Sequence, residues 1–535
     1  MQTNVWVRVI SLVTLISVSS MLGSAATAAV AVKSGEMSIV FVGEEPKVLD
    51  GQATPFDSGA MFSALLSDRL VGKDRDNNIR PYLATAWSAS KDGKVWTFNL
   101  RKDVKFHDGT PLNAEAVKFS FDRILDPKTQ SAWSVSIIGP IVRTEVVDQY
   151  TFRVVHKTPY APFLDAISQG YVPIWSPTAV NKYGPDGFAQ HLVGSGPWML
   201  QQYKPGEQVV YVKNPDYNWA PEYFKHQGPA YLDKVTIRWI SDAATAVQVL
   251  KAGEANAVIR FPAQNVFDFS KNLNYQVIRA SFTGSPVLYI MNTSKPPLND
   301  LSVRKALEYS INQPEIVKVL FRGEAIITRG VMYPTSSCYW KGAESMYPFS
   351  VDKAKALLDQ AGWKPDNTGV RMKDGQRLQI TVVNFSDQSL GPIVQAQLKE
   401  VGVDAKIEQV PGPIQLQRAI SGDFNMIYLH NAASDPSILD IMYNSANLKP
   451  GGWSWTRYKD PKLDALLNES TITVDPSKRC QLLTDAQKII MDQALVLPVY
   501  GRLTISVMAR SVKDLSFGPR PNVDLWLYDT YIEKK

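Results

Sequence analysis

Two apolar rhythms alternate along this chain, and that alternation narrows its fold more than any other feature. In "KVWTFNLRKDVKF" the residues Trp96, Phe98 and Leu100 recur every second position after the turn "KDG" at 91–93, which predicts a half-buried strand. "VRTEVVDQYTFRVVHKT" reads as two further strands folded around Asp148–Gln149. Directly between them, "AEAVKFSFDRIL" changes period. Ala114, Val117, Phe121, Ile124 and Leu125 make a helical stripe, with Asn113 placed as its N-cap. Later, "NDLSVRKALEYSI" predicts a helix capped by Asp300 or Ser302, Pro314 can open the next, and "SVDKAKALLDQAGW" predicts a third that Gly362 stops. Strand and helix signals mixed in this way define an α/β protein. A chain of 535 residues exceeds what one hydrophobic core usually supports, so at least two lobes are expected.

The N-terminus carries a different signal. Arg8 precedes an uncharged run from Val9 to Leu22, and Ala26 and Ala28 follow as small residues at the minus-three and minus-one positions of a cleavage site. The run is too short and too rich in Ser and Thr for a membrane span, which needs about 20 apolar residues. Residues 1–28 therefore read as a signal peptide, and the mature chain as an exported, periplasmic protein. Cysteine occurs only at 338 and 480, so no lipid attachment site follows the leader. The two cysteines are compatible either with a disulfide or with two separate thiols. The net charge of +6 comes from dispersed Lys and Arg rather than a basic block, which argues against nucleic acid as a partner.

Catalytic and metal-binding patterns are missing from the sequence. There is no HExxH, CxxC, Gly-rich phosphate loop or GxSxG elbow, and five histidines at scattered positions make no ligand cluster. His107–Asp108 in "VKFHDGTPLNAEAV" looks like half of an active site. Asp108–Gly109 is a turn dipeptide between strand and helix, however, and the histidine is read as structural. Neither an enzyme, a cofactor nor a metal site is expected.

The ordered blocks "FHDGTPLNAEAVKFS", "VGSGPWML", "NPDYNW", "VLKAGEANAV", "LYIMNTSKPPLNDLSVRKALEYSIN", "YPFSVDKAKALLDQAGW" and "QAQLKEVGV" resemble the family 5 extracellular solute-binding proteins, the peptide, nickel and opine receptors of bacterial ABC importers. The resemblance implies a two-lobed periplasmic-binding-protein fold with an extra subdomain in the first lobe. Lobe I would span residues 29–281, including the subdomain at about 76–195. Lobe II would span 282–503, and residues 504–535 would return to lobe I. It also implies a monomer that closes on a small-molecule ligand and delivers it to an ABC permease in the inner membrane.

Two anchors of the family's peptide binders have no counterpart here. Aligning "LHNAASDP" on Asp435–Pro436 puts Ala432 where peptide receptors carry an aspartate for the ligand's amino terminus, and the loop "NFSDQS" at 384–389 lacks their arginine. The residues assigned to the cleft are Arg260, His430, Asn431, Asp435, Trp453 and Trp455. Aromatic faces beside hydrogen-bonding groups suit sugars, and an arginine suits a carboxylate or phosphate. Pro55, in a segment that reaches the cleft wall in the family, lacks a backbone donor and disfavours strand-like peptide pairing. The expected ligand is thus an opine or a sugar conjugate such as a sugar phosphodiester, with a di- or oligopeptide as the alternative. A secreted hydrolase is the remote one, because no nucleophile and base are found. If the leader reading holds, the secreted protein begins close to Ala29, which intact-mass measurement of the exported product checks; an uncleaved, membrane-embedded product refutes it.

Overall fold

The computed structural model describes residues 34–533 apart from 47, 55, 386–387 and 450–451, so the leader and Pro55 lie outside the described residues. Two large sheets organise it. The first has seven strands in the order Tyr275–Ser281, Leu503–Ala509, Ala257–Ile259, Glu36–Val42, Lys234–Ile240, Gln208–Lys213 and Trp198–Lys204. The second has five, in the order Asp404–Gln409, Gln379–Asn384, Met426–Ala432, Gly284–Met291 and Val496–Tyr500. The inner strands of the second sheet place alternate residues in two apolar layers, while the edge strand Asp404–Gln409 contributes to one only. Tyr428 and Met426 face one, Ile427 and Leu429 the other. Helices such as Leu301–Ser310 and Pro476–Asp492 supply those layers.

The chain passes between the sheets twice. Tyr275–Ser281 is followed after two residues by Gly284–Met291, and Val496–Tyr500 after two residues by Leu503–Ala509. In the first sheet Ser281 pairs with Leu503, so the two crossings run side by side. Gly284 allows the first crossing to enter the second sheet. It has φ +90°, and a Cβ there would stand 2.3 Å from the Ala433 nitrogen.

A third, four-stranded sheet orders Ala84–Ala89, Val95–Leu100, Thr151–His156 and Ile141–Asp148, with the helix Ala114–Leu125 packed on it. Trp96, Phe98 and Leu100 are buried as their spacing predicts, and Asn113 Oδ1 accepts from the Ala116 N–H at 3.1 Å. The "FHDG" turn is bound into this region. The His107 N–H donates to Gly194 O at 2.9 Å, its Nε2 meets Gly196 O at 3.0 Å, and Asp108 accepts from Ser176 Oγ at 2.5 Å. Gly194 belongs to "VGSGPW", where a Cβ would lie 2.1 Å from Leu66 O, so both blocks are packing motifs.

Cys338 and Cys480 form a disulfide with Cα atoms 4.8 Å apart, tying the segment before Trp340 to the helix Pro476–Asp492 within the second lobe. Among the described residues no helix is long and apolar enough to cross a membrane.

Burial pushes His107 down to about 4, so the folded protein holds the ring neutral while the unfolded chain takes a proton near pH 6.5. The unfolded state therefore binds more protons across this interval, and the fold loses stability as pH falls from about 6.5 to about 4. His107→Gln should flatten that part of the stability-versus-pH curve in urea melts and leave ligand affinity within a few-fold; loss of binding in a folded variant would place the histidine in the site.

Candidate functional site

Where the crossings meet the two sheets, a cavity of about 550 Å³ opens between the lobes. Its first-lobe wall includes Asp57, at the start of the helix Asp57–Leu66, Arg260 and Asn522. The second-lobe wall includes Phe321, Glu324, His430 and Tyr500, and the crossings contribute Phe282 and Arg502.

Arg260 follows the strand Ala257–Ile259 in a left-handed conformation, φ +61°, which turns it out of the sheet and over the Phe41 ring at 4.5 Å. The residue is exposed toward the open space of the cavity, with surrounding protein atoms still reducing its contact with water. That loss of hydration lowers its pKa, the neighbouring Arg502 charge adds to this, and Asp57 opposes it. An arginine stays protonated through such a shift, so among the described residues the cavity is bordered by two guanidinium groups, Arg260 and Arg502, and two carboxylates, Asp57 and Glu324. Asp57 is held in place by Tyr171, whose hydroxyl donates to Oδ1 at 2.6 Å, and by the Asn522 amide on Oδ2. A carboxylate has about four acceptor sites, so it retains capacity toward a ligand. Glu324 has a different role. Arg279 binds it through two bonds of 2.6 and 2.7 Å, an ion pair that spans the lobes beside the crossings.

His430 is edged against Phe282, with ring centroids 5.4 Å apart, and its Nε2 lies 3.2 Å from Tyr333 Oη. Tyr333 Oη in turn accepts from the Arg502 backbone N–H at 2.9 Å, and an Arg502 guanidinium nitrogen donates to Tyr428 Oη at 2.5 Å. Burial, reinforced by the Arg502 charge, holds His430 well below the ordinary imidazole value, so the ring is neutral. A neutral imidazole both donates and accepts hydrogen bonds without adding a third positive charge.

The other four residues expected in the cleft do not line this large cavity. Asn431 is the next residue along the strand Met426–Ala432, and period-two alternation turns it to the opposite face from His430. Asp435 is locked to Arg479 by bonds of 2.6 and 2.8 Å, a pairing that outweighs burial and brings its carboxyl down to about 2. Trp453 and Trp455 stack on one another at 4.9 Å and pack into the second lobe's core, with Trp455 Nε1 bonded to Gly452 O. Of the six, the large cavity gathers Arg260 and His430. Asp57, Arg502 and Asn522 join them without having been singled out, although Asp57 is two residues from Pro55, in the segment expected at the cleft wall.

A smaller cavity of about 40 Å³ lies nearby, between the third sheet's domain and the loop after Ala432. Asp165, Gln169, Ala432, Ser434, Asp435 and Arg520 are among its lining residues. Here the lobes are latched. Ser434 Oγ donates to Asp165 at 2.7 Å, Gln169 Nε2 donates to Asp165 Oδ2 at 2.8 Å, and Lys73 forms a buried ion pair with the same carboxylate. Among the described residues no group of three or more His, Cys, Asp or Glu is placed to hold a metal.

Two sheets joined by paired crossings, with a charged cavity and a polar latch between them, define a ligand-binding protein of the hinged, two-lobed class. The chain belongs to the bacterial extracellular solute-binding proteins, family 5, whose model matches residues 78–452. It is 30% identical over 491 residues to the glutathione-binding protein GsiB of Salmonella typhimurium, covering 89% of this chain and 90% of that one. Solved structures share the fold, and two of them illustrate it. One is NikA from Brucella suis in complex with Fe(III)-EDTA, with TM-score 0.82, 25% identity, and 92% and 99% of the two chains covered. The other is the periplasmic binding protein DppA from Helicobacter pylori in complex with the peptide STSA, with TM-score 0.76, 26% identity and 94% and 99% covered. The protein is accordingly a solute-binding receptor of an ABC importer.

Ser434→Ala removes the latch without unpairing Lys73 from Asp165. It should leave the melting temperature of the free protein unchanged and weaken ligand binding roughly 10- to 150-fold in calorimetric titration, the scale of one hydrogen bond to a charged group. Unchanged affinity would show that the contact does not help hold the lobes together.

Proposed function

We propose that this receptor works in the periplasm, as a monomer, and binds a small anionic solute that it passes to an inner-membrane ABC permease. The favoured class is an opine or a sugar conjugate such as a sugar phosphodiester. The observation that carries this reading is the pair of guanidinium groups, Arg260 and Arg502, facing one cavity with Asp57 as the carboxylate opposite. Two like charges bordering one cavity repel, and an anionic ligand relieves that repulsion while gaining charge-assisted hydrogen bonds. His430 and Phe282 supply a polar edge and an apolar face beside them, the combination a carbohydrate or an opine backbone requires.

Ligand capture needs no catalytic residue. Residues from both lobes contact the solute, so the closed arrangement binds it more tightly than an open one, and that difference drives closure. The closed shape is what a permease recognises.

A second reading, a short peptide, draws on GsiB, the relative described as glutathione-binding, and on Asp57, which has capacity for an ammonium. Ordinary dipeptides are nevertheless disfavoured. Ala432 offers no carboxylate, and an ammonium desolvated without one costs several kcal/mol. Ala432→Asp alone should not create dipeptide binding, since the new carboxylate would join Asp165 and Asp435 around the small cavity.

A thermal-shift panel of opines, sugar phosphates, glutathione and mixed dipeptides on the mature protein tests the class. Arg260→Ala should weaken the best anionic ligand by about 1.5–3 kcal/mol, roughly 10- to 150-fold. Equal affinity in wild type and variant removes Arg260 from the site, and micromolar dipeptide binding by the wild type overturns the argument from the missing anchors.

A further inference from the structure

Arg520 is 3% exposed, yet its guanidinium enters none of the ion pairs formed by the described residues, and its Nε has no hydrogen-bond partner. Only its backbone is anchored, by a bond from its N–H to Asp524 Oδ2 at 3.1 Å. The head group lies 5.9 Å from the centre of the Tyr171 ring and borders the small cavity between the lobes. A buried guanidinium with unused donors is costly, and a protein retains one where something else completes it.

The surroundings indicate what completes it. Asp165, the carboxylate in the same cavity, is already bonded by Lys73, Ser434 and Gln169. Asp524 is the other nearby carboxylate. Burial raises its pKa, with Arg520 and Arg69 acting against that rise. The unmet demand in this cavity is therefore for an anion. About 40 Å³ has room for on the order of three water molecules, close to the bulk of a carboxylate.

The small cavity also neighbours the large one. Tyr171, which carries Arg520 over its ring, donates to Asp57 at 2.6 Å, and Asn522, two residues after Arg520, bonds the same carboxylate. Asp57 and Asn522 both line the large cavity. We propose that Arg520 receives a second anionic group of the ligand, so that the solute carries two, one held by Arg260 in the large cavity and one by Arg520 in the small. This inference rests on the anionic-solute reading and sharpens it to a dianionic compound. It also gives the latch a further role, because a group seated at Arg520 lies against Ser434 and Gln169 at the meeting of the lobes.

The test uses the full mature protein as wild type, Arg520→Met, Arg520→Lys and Arg260→Ala. The probes are octopine and glutathione, each with two carboxylates, and their monoesters. Expected is binding of at least one diacid by the wild type, at least tenfold weaker binding of its monoester, and a similar loss for the diacid in Arg520→Met. That variant should bind the monoester like the wild type, and without ligand it should melt no lower, since it removes an uncompensated buried charge. Arg520→Lys keeps the charge without the planar fork and should fall between, which preserves the test if the methionine variant does not fold. The proposal is overturned if no diacid binds, if monoester and diacid bind the wild type alike, or if Arg520→Met loses stability while keeping diacid affinity. Weakening by Arg260→Ala but not by Arg520→Met defeats this inference alone; no effect from either variant defeats the anionic-solute reading as well.

Discussion

The antiparallel pairing of Tyr275–Ser281 with Leu503–Ala509 governs this molecule. It places the end of one crossing, Ser281, opposite the start of the other, Leu503, so the two lobes are joined through a single narrow seam. Two residues in each crossing are too few to form a flexible linker, and the strands on either side are fixed by their sheets. Relative motion of the lobes is thereby confined to rotation about that seam. The residues that line the proposed solute cavity are arranged around it. Phe282 and Arg502 lie in the crossings, Arg260 and Asp57 on one side, and His430 on the other.

Charge is distributed unevenly across the interface, and the unevenness separates permanent from conditional contacts. Lys73–Asp165 is a buried pair within the first lobe, so it persists when the lobes part, while the bond from Ser434 to Asp165 exists only when they meet. Arg279–Glu324 spans the lobes close to the seam, where a rotation moves atoms least. The conditional hydrogen bond is thus a small polar contact. Such a contact suits a receptor that must release its cargo as well as hold it.

Much of the fold was legible in the sequence because it rests on local rules. The strand at 95–100, the paired strands around Asp148–Gln149, the Asn113 cap and the helix stop at Gly362 depend on residues within a few positions of one another. The turn character of Asp108–Gly109 was readable for the same reason. The proposed site was legible only in part, because it draws on residues 57, 260, 430, 502, 520 and 522, which no local pattern links. Asp435 looked available until Arg479, 44 positions later, was seen to claim it. Trp453 and Trp455 carry identical composition whether they form a platform or a core; only three-dimensional packing shows them stacked on each other. Arg502 and Arg520 gave no signal among 57 dispersed basic residues.

Arg502 sits within the second crossing and at the cavity wall, tied to Tyr333 through its backbone and to Tyr428 through its side chain. A solute that draws on this guanidinium acts on the pivot rather than on a distant lobe surface. Recognition and leverage then share one residue, as a door would if its lock were built into the hinge pin. Chemical preference and closing angle cannot drift apart in such a design: a substitution that retunes one alters the geometry presented to the permease. Lineages that change cargo would be expected to adjust this position together with its tyrosine partners.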